Sequence, residues 1–240
     1  DIVGENATPL KLAVMLDVGR TDKNDVLPKE ESPFDLVRVA TYIHQIPAAI
    51  DLIEDAKAKG YEVSVNIMAV SKVREDQLVE GLEMLAKSSC DLVDSFGSFY
   101  PEEIEVLTRR YVDIGKKYNK KIGFHGHNNQ QLAFANTITA MKNGATYVDA
   151  TMSGMGRGAG NCFMELLLGL LRNPKYNVVP TMDFVEKHIL KLKEDGIVWG
   201  YDFPYLMTGI LNCHPRSAIK FTHDKRTDYK NFYHEILEMD

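Results

Sequence analysis

Residues 121–129, Lys-Ile-Gly-Phe-His-Gly-His-Asn-Asn, carry the pair of side chains with the most chemistry to offer. A β-type run ends there in His125 and His127, two residues apart. Side chains along a strand alternate faces, so both imidazoles project to one side and can close on a single ion. The glycine between them leaves the opposite face bare. Asn128 and Asn129 follow as a helix cap before Leu132, Ala135 and Ile138. Two neutral imidazoles at the C-terminal edge of a strand that leads straight into a helix suit a metal site on an α/β scaffold. An isolated His-x-His is more often a pair of ordinary surface or core histidines. Its meaning depends on the elements that position it and on what else reaches the same place.

Those elements repeat. Short β-branched or apolar runs at 11–18, 36–42, 62–70, 92–97, 121–127 and 147–153 are each followed by a helical pattern. The helices are expected at 46–59, 75–88, from Pro101 onward, at 129–142 and at 161–171, the last apolar almost all round and so expected to be buried. Strand–helix alternation implies a parallel sheet with helices outside, and a repeat of roughly 25–30 residues fits a TIM (β/α)8-type barrel. A doubly wound flavodoxin-like or Rossmann sheet is the alternative. Six β/α units are counted rather than eight, and from Pro180 the chain reads as helices at 182–194, 205–213, 216–221 and 228–237. The expected organisation is an incomplete barrel over 1–179, with the first two strands absent from this chain, and a helical segment over 180–240 packed on it.

In a barrel, function sits at the C-terminal ends of the strands. Those ends carry Asp17 and Arg20, then Thr41, Tyr42 and His44, Asn66 and Met68, Asp94 and Ser95, the histidine pair, and 149–153. Arg38 lies inside an apolar run, where an unpaired charge is very costly, and is either paired in the barrel mouth, the favoured reading, or turned toward a helix. Arg38, Asn66 and Asp94 are the substrate-binding candidates. Asp17 and Arg20 read equally well as an ion pair, His44 as a cap, and His188, His214 and His223 as structural residues of the tail. The run Ser153-Gly-Met-Gly-Arg-Gly-Ala-Gly-Asn161 can receive an anion on its N–H groups, and Gly154-x-Gly156-x-x-Ala159 meets a loose dinucleotide fingerprint. It comes late in the chain, however, and no acidic strand end follows. A flexible active-site loop is the better reading, with Gly156 and Gly158 allowing close backbone approach to a ligand. Asn161 then offers an amide oxygen to a hard cation.

Composition narrows the partners. The 240 residues are 45% hydrophobic, with 28 basic and 34 acidic side chains and a net charge of −6. No basic block is present, so nucleic acid is not an expected partner. No apolar run approaches the ~20 residues of a membrane span, and the acidic N-terminal stretch does not read as a secretory signal. Cys90, Cys162 and Cys213, odd in number and scattered, point to a reducing compartment, the cytoplasm.

Gly123-Phe-His-Gly-His-Asn-Asn, Ala135-Asn-Thr, Gly144-Ala-Thr-Tyr-Val-Asp-Ala-Thr and Gly154-Met-Gly-Arg-Gly-Ala-Gly-Asn together resemble the metal-dependent aldolase/lyase superfamily of TIM barrels. This HMG-CoA lyase-like group also holds the isopropylmalate and homocitrate synthases. The histidine and glycine motifs are most similar to its 4-hydroxy-2-oxovalerate aldolase branch. The resemblance implies that His125 and His127 ligate Mn²⁺ or Mg²⁺, with Zn²⁺ a lesser alternative, and that Asn161 is near the ion or ligates it. Trp199-Gly-Tyr-Asp-Phe-Pro-Tyr205 is similar to the post-barrel segment that supplies an active-site tyrosine, Tyr201 or Tyr205 here. One motif is missing: no Thr-Leu-Arg-Asp-Gly run occurs, and Met15-Leu-Asp-Val-Gly-Arg20 resembles the family's third strand instead. The acidic ligand and the enolate-stabilising arginine therefore have no counterpart to name. The implied activity is cleavage of a 4-hydroxy-2-oxo acid to pyruvate and an aldehyde through a metal-stabilised enolate. An acetyl-CoA-dependent Claisen-type synthase or an HMG-CoA lyase-like reaction is the alternative within the superfamily, and a degenerate, non-catalytic metabolite-binding barrel the alternative outside it. The implied partners are a small 2-oxo acid and an acylating aldehyde dehydrogenase, with a homo-oligomer open.

Overall fold

The computed structural model describes residues 6–88 and 91–239, residues 91–96 by their backbone alone; Cys90 lies outside the described residues. Six strands are β1 (Ala13–Asp17), β2 (Leu36–Tyr42), β3 (Glu62–Met68), β4 (Asp91–Phe96), β5 (Ile122–Gly126) and β6 (Tyr147–Val148). The helices among them are α1 (Ile46–Ala58), α2 (Glu75–Ala86), α3 (Pro101–Tyr118) and α4 (Ala133–Lys142). After β6 come α5 (Met164–Leu171), α6 (Val179–Phe184), α7 (Leu190–Glu194), α8 (Phe203–Ile210), α9 (Arg216–His223) and α10 (Tyr229–Leu237). A π turn, Val185–Ile189, joins α6 to α7.

The chain divides into two compact units. The first takes the chain up to Ser95 together with Thr108–Gly123 and Gly144–Tyr147; the second holds Phe96–Leu107, Phe124–Asn143 and the chain from Val148 onward. All six strands enter the first unit. β1 to β4 pair in parallel, with Val14 opposite Val37, Val37 opposite Val63 and Val65 opposite Leu92. The sheet order is β1-β2-β3-β4-β5-β6, so every strand lies beside its neighbour in the chain. A flavodoxin-like or Rossmann sheet reverses its order at a switch point, and none occurs here. The sequential β/α order is that of a barrel-type sheet.

Periodicity explains the covering helices. In α1 the buried side chains are Ile46, Ala49, Leu52, Ile53 and Ala56, at the i, i+3, i+4, i+7 spacing of one helix face. Pro47 stands in its first turn, where a missing N–H costs nothing, and the chain leaves the helix at Gly60. α2 opens on Glu75 and Asp76 and buries Leu78, Leu82 and Leu85. Val37, Val39, Val65 and Ile67 are fully buried, each stabilising by about 2 kcal/mol through removal of apolar surface from water. The second unit has its own core, built from Met207, Cys213, Phe221, Phe232 and Ile236 of the helical tail. Among the described residues no helix is long and apolar enough to cross a membrane.

Three local expectations are corrected. The sixth strand stops at Val148, because the backbone beyond it takes new partners: Thr151 N–H donates to Cys162 O at 2.9 Å, and Met164 N–H to Thr151 O at 3.0 Å. α4 begins at Ala133 rather than at Asn129, although Asn128 Oδ1 still accepts from the Ala133 N–H at 3.2 Å. In α5 only Leu167 is buried, while Leu166, Leu170 and Leu171 are 49%, 46% and 41% exposed. An eight-residue helix apolar on every side carries no directional signal, and only one side of it meets the rest of the unit.

Candidate metal centre

All of the side chains described next belong to the second unit. β5 delivers His125, and His127 follows one residue past its end. The two rings lie on the same side, 4.8 Å apart between centroids and nearly perpendicular. Strand alternation is the cause. His125 Nδ1–H donates to Asp149 Oδ2 at 2.9 Å. A carboxylate on Nδ1 fixes the ring's orientation and leaves the Nε2 lone pair for a ligand. His127 forms an antiparallel bridge with Asn161, and flanking bonds run from Asn128 N–H to Gly160 O and from Cys162 N–H to Gly126 O. Burial, reinforced by the charges of His125 and Arg157, lowers the His127 pKa to about 3, so this ring is neutral at ordinary pH. Only the polar contact with Asn161 opposes that shift.

Asn161 is the most informative group. Its Nδ2 donates to Met155 O at 3.1 Å, yet its Oδ1 is buried with no hydrogen-bond partner of good geometry. A buried amide oxygen left without a donor costs about 1–3 kcal/mol, and a cation removes that cost. Neutral His127, His125 with the ring nitrogen that Asp149 does not hold, and this oxygen make up a donor set of a kind that fits a divalent ion. Among the described residues no cluster of three His, Cys, Asp or Glu side chains completes a site, so the set still lacks a carboxylate. The neighbouring backbone is glycine where space is short. A Cβ on Gly97 would stand 2.8 Å from Asn129 Cγ and 3.0 Å from His127 Cβ, and one on Gly156 2.6 Å from Asn161 Nδ2.

The glycine loop is pinned rather than free. Asn161 N–H bonds to Gly154 O, Gly160 N–H to Arg157 O and Gly200 N–H to Gly158 O, while Trp199 Nε1–H donates to Ser153 O at 3.0 Å. The glycines therefore serve close approach, and the expected flexibility is corrected. Against the loop lies Tyr205. Asp202 caps α8, its Oδ1 accepting from the Tyr205 N–H at 3.1 Å, and so sets where the phenol ring falls. That ring rests on Gly158, is 5% exposed, and has its pKa raised by burial against the opposing influence of Arg157. Tyr201, the other tyrosine of the motif, is 65% exposed.

In the first unit, Arg38 Nε and Nη2 both donate to Asn66 Oδ1, at 3.2 and 3.1 Å, so these two candidates meet each other. Arg20 pairs with Asp17 at 3.5 Å. Asp94 stands opposite Ile67 in the sheet, and its side chain is outside what is described. Asp149, which the strand-end reading covered only within 149–153, proves to be the His125 partner, and two groups that reading did not single out lie near the candidates: Arg157, and His214, whose pKa is lowered by burial and then by Arg216 and Arg157. The lone charge inside a glycine run was the one available signal for Arg157.

Two expected results arise here. Asp149→Asn should weaken divalent-ion affinity roughly 10–100-fold, as loss of a carboxylate behind a ligating histidine does. Calorimetric Mn²⁺ titration checks it, and unchanged affinity would remove Asp149 from the site. The second concerns pH in chelator-treated protein. The folded-state pKa of His127 lies below its unfolded value near 6.5, so the unfolded chain takes the proton first as pH falls. Stability is thus lost from about pH 6.5 downward, and this ring should cost up to about 2 kcal/mol between pH 7 and pH 5. Urea midpoints of wild type and His127→Gln should converge toward pH 5; parallel curves would mean an ordinary histidine.

A profile of the HMGL-like family matches residues 40–192. The chain is 31% identical over 230 residues to a 4-hydroxy-2-oxovalerate aldolase of Bacillus cereus, covering 90% of this chain and 66% of that protein. It is 34% identical over 142 residues to an oxaloacetate decarboxylase of Mycobacterium tuberculosis, covering 58% and 41%. The crystal structure of the N-terminal domain of a candidate aldolase from Bacteroides vulgatus matches with a TM-score of 0.71 at 30% identity, over 90% of this chain and 73% of that one. The carboxyl transferase domain of Rhizobium etli pyruvate carboxylase shares the fold, with a TM-score of 0.67 at 13% identity over 89% and 40%. The chain spans 66% of the length of the first of these aldolases and 59% of a second, from Bacillus thuringiensis.

Proposed function

We propose that this chain, which belongs to the HMGL-like family, is the catalytic part of a divalent-metal-dependent lyase that cleaves a 4-hydroxy-2-oxo acid to pyruvate and an aldehyde. The observation that supports the reading is the buried Oδ1 of Asn161, without a hydrogen bond of good geometry, on a backbone bridged to that of a neutral His127. Two imidazoles and an amide oxygen suit Mn²⁺ or Mg²⁺ ahead of Zn²⁺, with a carboxylate still to be supplied. When bound, the ion supplies the Lewis acidity that stabilises negative charge developing on the 2-oxo acid. Asp149 keeps the His125 ring in a single orientation, so the donor set is preorganised. Tyr205 keeps its proton, because burial raises its pKa, and its hydroxyl is the group of this unit suited to hydrogen-bond the substrate's 4-oxygen. The aldolase names of the relatives support this choice of reaction.

The Mycobacterium tuberculosis relative favours a second reading, decarboxylation of oxaloacetate. Both reactions break a bond to C3 of the pyruvate unit and leave its electron pair there, so one site can serve either. The test is pyruvate release from 4-hydroxy-2-oxopentanoate and from oxaloacetate, by protein stripped with chelator and reloaded with Mn²⁺. Metal-dependent release from the hydroxy acid is expected. Release from oxaloacetate alone would favour decarboxylation, and thiol release from acetyl-CoA with a 2-oxo acid the Claisen alternative. Full activity in chelator, or no Mn²⁺ binding, would sink the metal reading.

A further inference from the structure

Arg157 lies close enough to act on His127, Tyr205 and His214, and among the described residues it makes no ion pair. The glycine before it lies against the Asn161 amide, and the glycine after it lies under the Tyr205 ring. Its own carbonyl accepts from the Gly160 N–H at 3.2 Å, and the next carbonyl, of Gly158, accepts from the Gly200 N–H at 3.0 Å. The loop therefore holds the Arg157 backbone between the proposed ion ligand and the phenol. Its side chain is exposed, its charge bears on His127, Tyr205 and His214, and it is in polar contact with Tyr205. Arg216 adds a second positive charge beside His214. The acid that also bears on Tyr205 is Asp202, whose Oδ1 already caps α8. Among the described residues Arg157 makes no ion pair, whereas Arg226 of the same unit is held by both Asp228 and Glu235.

Charge then decides what the guanidinium is for. The donors from His125, His127 and Asn161 are uncharged. With Asp149 behind His125 and one carboxylate added, the charge of a divalent ion there is balanced, and the substrate's own 2-oxo acid carboxylate is taken up in facing the ion. That leaves the Arg157 guanidinium, a planar fork shaped for bidentate oxyanions, unanswered. We infer that Arg157 is a specificity-determining residue, receiving a second anionic group, carboxylate or phosphate, on the part of the substrate that leaves as the aldehyde. This rests on the lyase reading above and narrows its substrate class to dianionic 4-hydroxy-2-oxo acids. For a dicarboxylate such as 4-hydroxy-2-oxoglutarate, the 4-hydroxyl loses its proton and the C3–C4 bond breaks. Its electron pair goes to C3, which then takes up a proton, and the products are pyruvate and glyoxylate.

Matched probes test this with charge as the one variable. 2-Oxoglutarate and 2-oxopentanoate differ in a terminal carboxylate against a methyl, and neither has a hydroxyl to support cleavage. By calorimetry, the Mn²⁺-loaded wild type is expected to bind 2-oxoglutarate at least about tenfold more tightly, as a charged hydrogen-bonded pair provides. Arg157→Gln should collapse that ratio toward one, and Arg157→Lys should keep part of it. In turnover, kcat/KM for 4-hydroxy-2-oxoglutarate over 4-hydroxy-2-oxopentanoate should fall in the same order, and a 5-phosphooxy analogue run alongside identifies which oxyanion is preferred. Equal wild-type affinity for the two oxo acids would overturn the inference without any variant, as would a ratio unmoved by Arg157→Gln. Release of pyruvate from none of the hydroxy acids would instead count against the lyase reading itself.

Discussion

His127→Ala protein is expected to bind no stoichiometric Mn²⁺ and to release pyruvate at a rate indistinguishable from chelator-treated wild type. Its removal takes one of the two imidazoles, while the main-chain bridge between residues 127 and 161 is kept. The loss should exceed the roughly 10–100-fold seen when only a supporting partner is removed. Two readouts separate lost ligation from lost folding. The alanine variant should keep its circular dichroism spectrum at pH 7. In chelator it should also lose less stability on acidification than wild type, because the buried base that resists protonation is gone. Wild-type Mn²⁺ affinity in this variant would show that the His-x-His pair is structural, and the metal reading would fall with it.

The pair was legible because strand alternation is a local rule: two residues apart means one face, and the rings do stand side by side. The sequential sheet was legible for a similar reason, since regular strand–helix alternation leaves few ways to connect parallel neighbours. Groups that arrive from a distance were not. Asp149 stands 24 residues beyond His125, past a strand only two residues long, too short for alternation to say which way a side chain turns. Arg157 was visible as a charge among glycines, but its neighbours come from α8 and from the residues before α9, and no periodicity reports such an approach. Of the two tyrosines in one motif, the Asp202 cap and Pro204 decide that Tyr205 is carried inward. α5 failed the other way, its uniform apolarity naming no face.

Gly158→Ala should destabilise the protein by about 2–5 kcal/mol, combining a backbone and a packing cost. Its φ of +57° lies in the left-handed region, which costs a residue with a Cβ about 1–2 kcal/mol. The new methyl would also run into the Tyr205 ring, and overpacking of that kind adds about 1–3 kcal/mol. The ring has no easy retreat, since Asp202 holds its backbone and its cluster with Ala159 and Ala218 is closed. A double-mutant cycle isolates the contact. Tyr205→Ala is itself destabilising, but in that background Gly158→Ala should cost only its backbone part, about 1–2 kcal/mol. Urea unfolding of the four proteins measures the difference. An equal cost in both backgrounds would mean that the loop does not feel the phenol, and Tyr205 would lose its place beside Arg157 and Asn161. A coupling of the expected size would instead tie α8 to the loop that carries Asn161. The helical tail would then be part of what holds the candidate ion ligand in position.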